Sequence, residues 1–381
     1  MTTLIKHKRV EFSELFYDLV FVFAISKVTT LIEHLHNGIL TWNSFLDFFM
    51  AVLVLTDSWM IQTIYTNRYG KNSLFNMVIM FINMGLLLFI SNMIGHDWQL
   101  YFHSFCWAVG TLTLTLFFQY LVKFFRKSTD PVNRESIKGF LWITGLRSLG
   151  VYLAALLPIN IGVYIFIASI LLTFIMPIIA VSKDDHFQVN LPHLIERISL
   201  LVIITFGEMI MGIANFFTPE NFSIYSILYF IIMLSLFMFY FAQFDHAIDE
   251  SSNQNGLFLI YSHYPILIGL IMITVSMSFL LSPEANHIFV TSFFYIGIGL
   301  FQAAVLANGP YNKQHLRFPK SFYLLEFGFH VVAFILSLFF ASNALIVVII
   351  AMILTLTTQI HFIYFYMTQT KKFSTPDWDL F

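Results

Sequence analysis

Twelve runs of about twenty apolar residues follow one another along the chain, broken by short polar or turn-forming stretches. They cover residues 12–35, 40–65, 74–95, 99–122, 138–157, 160–181, 193–216, 223–244, 256–281, 286–307, 321–341 and 343–367. Within a bilayer the backbone must satisfy its own hydrogen bonds, so runs of this length form spanning helices. The expected fold is therefore all-α: a polytopic integral membrane protein with twelve transmembrane helices. Pro158 and the Ala341–Ser342–Asn343 step divide the two closest pairs. With 58% hydrophobic residues, 10% charged residues and a mean hydropathy of +0.80, no segment can surround a soluble core with polar surface. One membrane domain over 1–381 is expected, with no soluble domain, and the longest polar interval, Lys123 to Lys138, reads as a loop.

Basic residues resist translocation and collect on the cytoplasmic side. With the N-terminus inside, cytoplasmic segments hold Lys6, Lys8, Arg9, Arg68, Lys71, Lys123, Arg126, Lys127, Arg134, Lys138, Lys183, Lys313, Arg317, Lys320, Lys371 and Lys372, sixteen of the nineteen Lys and Arg. The outer loops, near Asn37, Asp97, Pro158, Pro219, Glu284 and Ser342, hold none. Adding or removing a central helix would put basic loops outside, so both termini are expected in the cytoplasm. The first run follows basic residues and lacks a small-residue cleavage site, and it reads as an uncleaved signal anchor in the cell membrane. A net charge of −2 without a broad basic surface excludes a nucleic-acid partner. The single cysteine, Cys106, cannot form an internal disulfide or a cysteine-ligated cluster.

The remaining three basic residues, Lys27, Arg147 and Arg197, fall inside predicted spans. Each costs about 2.5–3.5 kcal/mol at a helix centre, so they require partners or water. Depth counted along each helix places Lys27 with Glu208, and Asp18 with Arg197, as pairs of matching level. Asp57, His263 and Glu326 lie inward of the midplane, and Arg147 and His330 lie near it. At 100° per residue, Glu11, Glu14, Asp18, Thr29 and Glu33 form one stripe on helix 1, with Lys27 on the opposite side. Helix 1 is accordingly expected to be enclosed on two sides. His193, Arg197, Glu208 and Asn215 line up on helix 7, and Glu326, His330 and Ser337 on helix 11. Three polar stripes could line one cavity holding a solute or proton; static ion pairs that set helix register are the other reading. His263 and His361 read as hydrogen-bonded core or interfacial side chains.

A second constellation, "QFDHAIDESSNQ" at 243–254, has Asp245, His246, Asp249 and Glu250 without Lys or Arg. Their i,i+4 spacing on a helical extension could offer carboxylates to a divalent cation, and a solvated helix end is the plainer reading. There is no phosphate-binding GxxxxGK[ST], no HExxH, no GxSxG in its required setting and no arginine ladder. No cofactor is called for. Helices 1 and 7 each open a six-helix half, 1–182 and 183–381, with "ELFYDLVFVF" and "HLIERISLLV". That arrangement is open to a parallel repeat of six plus six.

The stretches "ELFYDLVFVFAISKVT" at 14–29 and "HLIERISLLVIITFGEMIMGI" at 193–213 resemble the two signature segments of the bacterial low temperature requirement protein A family, LtrA, and the likeness runs over nearly the whole chain. By that resemblance Glu14, Asp18, His193, Glu196, Arg197 and Glu208 are family positions. Lys27 departs from the uncharged polar residue expected there. The resemblance implies a bacterial inner-membrane protein linked to growth in the cold, and it implies no substrate. The residues themselves lead to a secondary transporter, open to proton coupling, for a small polar or charged solute. Asp18, Arg197 and Glu208 form its expected site, amid Glu14, Lys27, Arg147, His193, Glu196, Glu326 and His330. Membrane lipids are the other expected partners. A membrane-embedded enzyme acting on a lipid or lipid-linked substrate, and a non-transporting scaffold or sensor, are the alternatives.

Overall fold

The computed structural model describes residues 8–96, 98–127, 129–182, 187–252 and 254–373; Lys6, Asp97 and Lys183 lie outside them. Among the described residues twelve helices are long and apolar enough to cross a membrane: α1 Phe12–Thr29, α2 Trp42–Tyr69, α3 Leu74–Met93, α4 Trp98–Phe125, α5 Pro131–Leu156, α6 Ile159–Ser182, α7 Leu191–Ala214, α8 Ile224–Phe241, α9 Leu257–Phe279, α10 His287–Leu306, α11 Lys320–Phe339 and α12 Ala344–Phe373. Among the described residues there is no strand, only the isolated bridges His36–Ile39 and Ile248–Asn312. The chain is a helical multi-pass membrane protein.

Local signals set the helix ends. Ser73 accepts from the Asn76 N–H ahead of α3, Asn286 from the Phe289 N–H ahead of α10, and Ser223 and Ser226 form a capping box at α8. The interval 123–138 corrects the expected loop. α4 runs to Phe125 and α5 starts at Pro131, where Asp130 precedes a proline whose missing N–H costs nothing in the first turn. A polar helix end looks like a loop on a hydropathy scale, and the Asp-Pro pair carried the contrary signal.

The chain divides into two compact units. The first comprises Met1–His34, Trp42–Ile204 and Asn253–Ile260, and the second Leu35–Thr41, Thr205–Ser252 and Tyr261–Phe381. In the first, α5 packs between α4 and α6, and α3 packs on α1 and α4. Every residue of α2 from Ala51 to Asn67 is buried, which makes α2 its innermost helix. In the second, α9 is the most enclosed span, α8 packs on α12, and α11 lies beside α10 and α12. The loop 35–41 is anchored within the second unit by Gly38, whose φ of +81° and approach to the backbone of Glu284 and Asn286 leave no room for a Cβ.

α1 departs from the expected enclosure. Glu14 and Asp18 are buried, but Phe12, Phe16 and Leu19 are exposed along its other side. Regular α-helix ends at Thr29 rather than residue 35, so Lys27 stands in the last turn, 5.5 Å from the Phe23 ring centroid. There an ammonium is favoured by the helix C-terminus.

Candidate functional site: a buried charge cluster in the first unit

Buried acids and bases of four helices meet in the first unit. Glu14 and Asp18, one turn apart on α1, both point inward. Arg197 of α7, fully buried, reaches them through one nitrogen: Nη1 is 3.0 Å from Asp18 Oδ2 and 3.6 Å from Glu14 Oε2. Its Nη2 donates to Thr63 Oγ1 at 3.4 Å, and its guanidinium carbon lies 5.1 Å from the Trp59 ring centroid. Trp59 Nε1 donates to Asp18 Oδ1 at 2.8 Å. Both Asp18 oxygens are thus engaged, by a cation and by a neutral donor. The Asp18–Arg197 pair expected from depth is present.

His193, one turn before Arg197, brings an imidazole to Glu14, with Nε2 3.2 Å from Oε2. The tautomer follows from Asn67. The Asn190 N–H donates to Asn67 Oδ1 at 2.8 Å, which orients the amide. Asn67 Nδ2 therefore faces the Asn190 carbonyl at 2.8 Å and His193 Nδ1 at 3.0 Å as a donor. With Nδ1 accepting, the ring proton sits on Nε2, the nitrogen nearer Glu14. Asn190 Oδ1 also accepts from the His193 N–H at 3.2 Å, capping α7 where its functional residues begin.

A second ion pair joins Arg147 of α5 to Asp57 of α2, both buried. Arg147 Nη2 also donates to the Val54 carbonyl at 3.3 Å and to Ser58 Oγ at 3.2 Å. This guanidinium is bound to one helical turn of α2 by backbone, hydroxyl and carboxylate together.

Lys8 supplies a third cation. Its ammonium donates to the carbonyls of Thr66 and Gly70 at the C-terminal end of α2. Burial holds its pKa below the ordinary 10.5, against the opposing pull of Glu14 and Glu11. The unfolded chain then binds this proton more tightly than the folded one, so folding stability gains as pH rises toward 10.5. The thermal stability of wild type relative to Lys8→Met is expected to improve through that alkaline window, measured as the difference in Tm against pH.

The other residues singled out from sequence stand in their own elements and units. Glu196 is exposed on the far side of α7. Lys27 is thirteen residues along α1 from Glu14, about 20 Å at 1.5 Å per residue. Glu208, buried, belongs to the second unit. So do Glu326, paired with His361 at 2.6 Å, and His330, whose ring lies 6.2 Å from Tyr295. His263 meets the Tyr240 hydroxyl at 3.0 Å, a hydrogen-bonded core histidine. The acidic constellation does not form the expected helical ladder: a π-helical turn, Ala242–Ala247, ends the helix and Ile248 is extended. Asp245 stays beside His246 at 3.4 Å, whereas Asp249 accepts from Ser251. Among the described residues no three His, Cys, Asp or Glu come together as metal ligands.

The helical pattern marks Asp57 on α2 but not Trp59, Thr63 or Asn67, because the polar residues of α2 are spread around the helix and form no stripe. An innermost helix has no outward face to keep apolar, and the density of polar residues from Thr56 to Asn67 was the available signal.

The sequence profile of the family described as bacterial low temperature requirement A protein (LtrA) matches residues 9–355. None of the curated proteins matches the chain.

Proposed function

The chain belongs to the bacterial low temperature requirement A family, and from that premise we propose that it is a secondary transporter of a small polar or charged solute. It lies in the cytoplasmic membrane with both termini inside, and Glu14, Asp18, His193 and Arg197 form the solute site. The observation that carries this reading is the sharing of one Arg197 guanidinium nitrogen between Asp18 and Glu14. A cation held between two acids can follow either, so a charged group entering the cluster can take over one partner without leaving a bare charge. Trp59 Nε1 on Asp18 and His193 Nε2 beside Glu14 hold the two acids in place around the guanidinium they share.

The Arg147–Asp57 pair favours a second reading, a scaffold or sensor that moves nothing, since a guanidinium bound to a single turn fixes register. The transporter reading keeps that pair as structural and takes the α1–α7 cluster as the working site.

The test is ligand-induced thermal stabilisation of the purified protein against ions, metabolites and lipid head groups, in wild type and Asp18→Asn. A ligand at a hundredfold excess over its Kd stabilises by about 2.7 kcal/mol. The transporter reading expects a soluble compound that stabilises wild type and fails on the variant. Equal stabilisation of both would remove the cluster from the binding site, and no response to any soluble compound would leave the scaffold.

A further inference from the structure

The second unit holds an ion pair of a different kind. α11 and α12 pack side by side, and from them Glu326 Oε1 and His361 Nδ1 approach to 2.6 Å. Glu326 is 4% exposed, and its second oxygen, Oε2, is buried without a hydrogen-bond partner. The imidazole is stacked on Phe322 at 4.5 Å with an interplanar angle of 16°, and Phe329 meets it edge-on at 5.9 Å. Those rings hold Nδ1 toward the carboxyl while His361 keeps partial exposure. The carboxyl is enclosed and the imidazole reaches outward.

Among the described residues no fixed charge pairs with the carboxyl: Lys320, on the same helix, is six residues back, about 9 Å along α11. Of the titratable groups on the helices packed against α11, Tyr295 of α10 faces His330, one turn beyond Glu326, and takes a hydrogen bond from Ser337. On α12, His361 is the group that meets Glu326, and Lys371 lies ten residues further on, about 15 Å along the helix. Tyr323, on α11 itself, donates to the Leu306 carbonyl. Among the described residues no Lys or Arg pairs with Glu326. This differs from the first unit, where guanidinium groups hold the carboxylates of Asp18 and Asp57. A carboxylate that answers only to an imidazole has a net charge decided by protons alone, and its free oxygen leaves a place for one more.

We propose that Glu326 and His361 form a proton-exchange site. A proton delivered by water passes through His361 to Glu326, where an O–H bond forms as the bond to the donor breaks, and it leaves by the reverse path. That this exchange drives solute movement rests on the transporter reading; that the dyad binds and releases a proton does not.

The experiment is infrared difference spectroscopy of the purified full chain between mildly acidic and mildly alkaline buffer. Wild type is expected to show the C=O band of a protonated carboxyl that appears and vanishes with pH. Glu326→Gln should remove that band. His361→Gln, which keeps a hydrogen-bond donor beside the carboxyl, should retain the band but move its frequency and its titration midpoint, a change that does not depend on Glu326→Gln folding. A titrating band of full amplitude in Glu326→Gln, a band unmoved in His361→Gln, or no titrating carboxyl band in wild type would each overturn the assignment. None of these outcomes depends on a solute, so the dyad can fail while the α1–α7 site stands, and the reverse.

Discussion

Arg197→Met is expected to destabilise the protein by about 3–5 kcal/mol, because the change leaves Asp18 and Glu14 buried one turn apart without the guanidinium between them. Two like charges then face each other where water cannot screen them. Denaturant or thermal unfolding of the purified variant in detergent reads the loss directly. Adding Asp18→Asn should recover part of it, since the amide can still accept from Trp59 and no longer repels Glu14. If Arg197→Met unfolds like wild type, the cluster holds no net charge that the guanidinium must neutralise, and its role as a solute site fails with it.

The second large effect separates structure from function. Arg147→Met is expected to cost a similar 3–5 kcal/mol by stranding Asp57. The double variant Arg147→Met with Asp57→Leu should return close to wild-type stability, since apolar residues of similar volume often replace a buried ion pair at no loss. Ligand-induced stabilisation should survive in that double variant and be lost in Asp18→Asn. A double variant as unstable as the single one would show that Asp57 does more than neutralise Arg147. Loss of ligand response in it would place the pair inside the working site.

Twelve spans were legible because a bilayer demands runs of fixed length and gives no other use for them. The Asp18–Arg197 pair was legible because depth along a helix is a simple count and unpaired charge at depth is costly. Exposure was harder to read. α1 shows one side outward with its charges on the other, whereas a stripe with Lys27 opposite argued for enclosure; Lys27 stands in the last turn of α1, beside the Phe23 ring. Helix ends that continue into polar sequence, as at Pro131, fall below any hydropathy threshold while still carrying caps. The constellation at 245–250 failed for a related reason: i,i+4 spacing places side chains together only while the helix lasts, and here it ends at Ala247. The partnership of Glu326 with His361 joins residues thirty-five positions apart on adjacent helices, and no periodicity within one helix reports on it.

The two units carry chemically distinct buried groups, one holding carboxylates against guanidinium and the other a carboxyl against imidazole alone. Movement of a solute through the first is the central claim. The measurement that tests it most directly is exchange of a labelled solute, chosen by the stabilisation screen, across proteoliposomes containing wild type or Asp18→Asn. The account predicts saturable exchange in wild type, none above empty liposomes in Asp18→Asn, and full exchange in the Arg147→Met, Asp57→Leu double variant. Binding of the solute to wild type without any exchange would contradict it and make the chain a membrane sensor or scaffold.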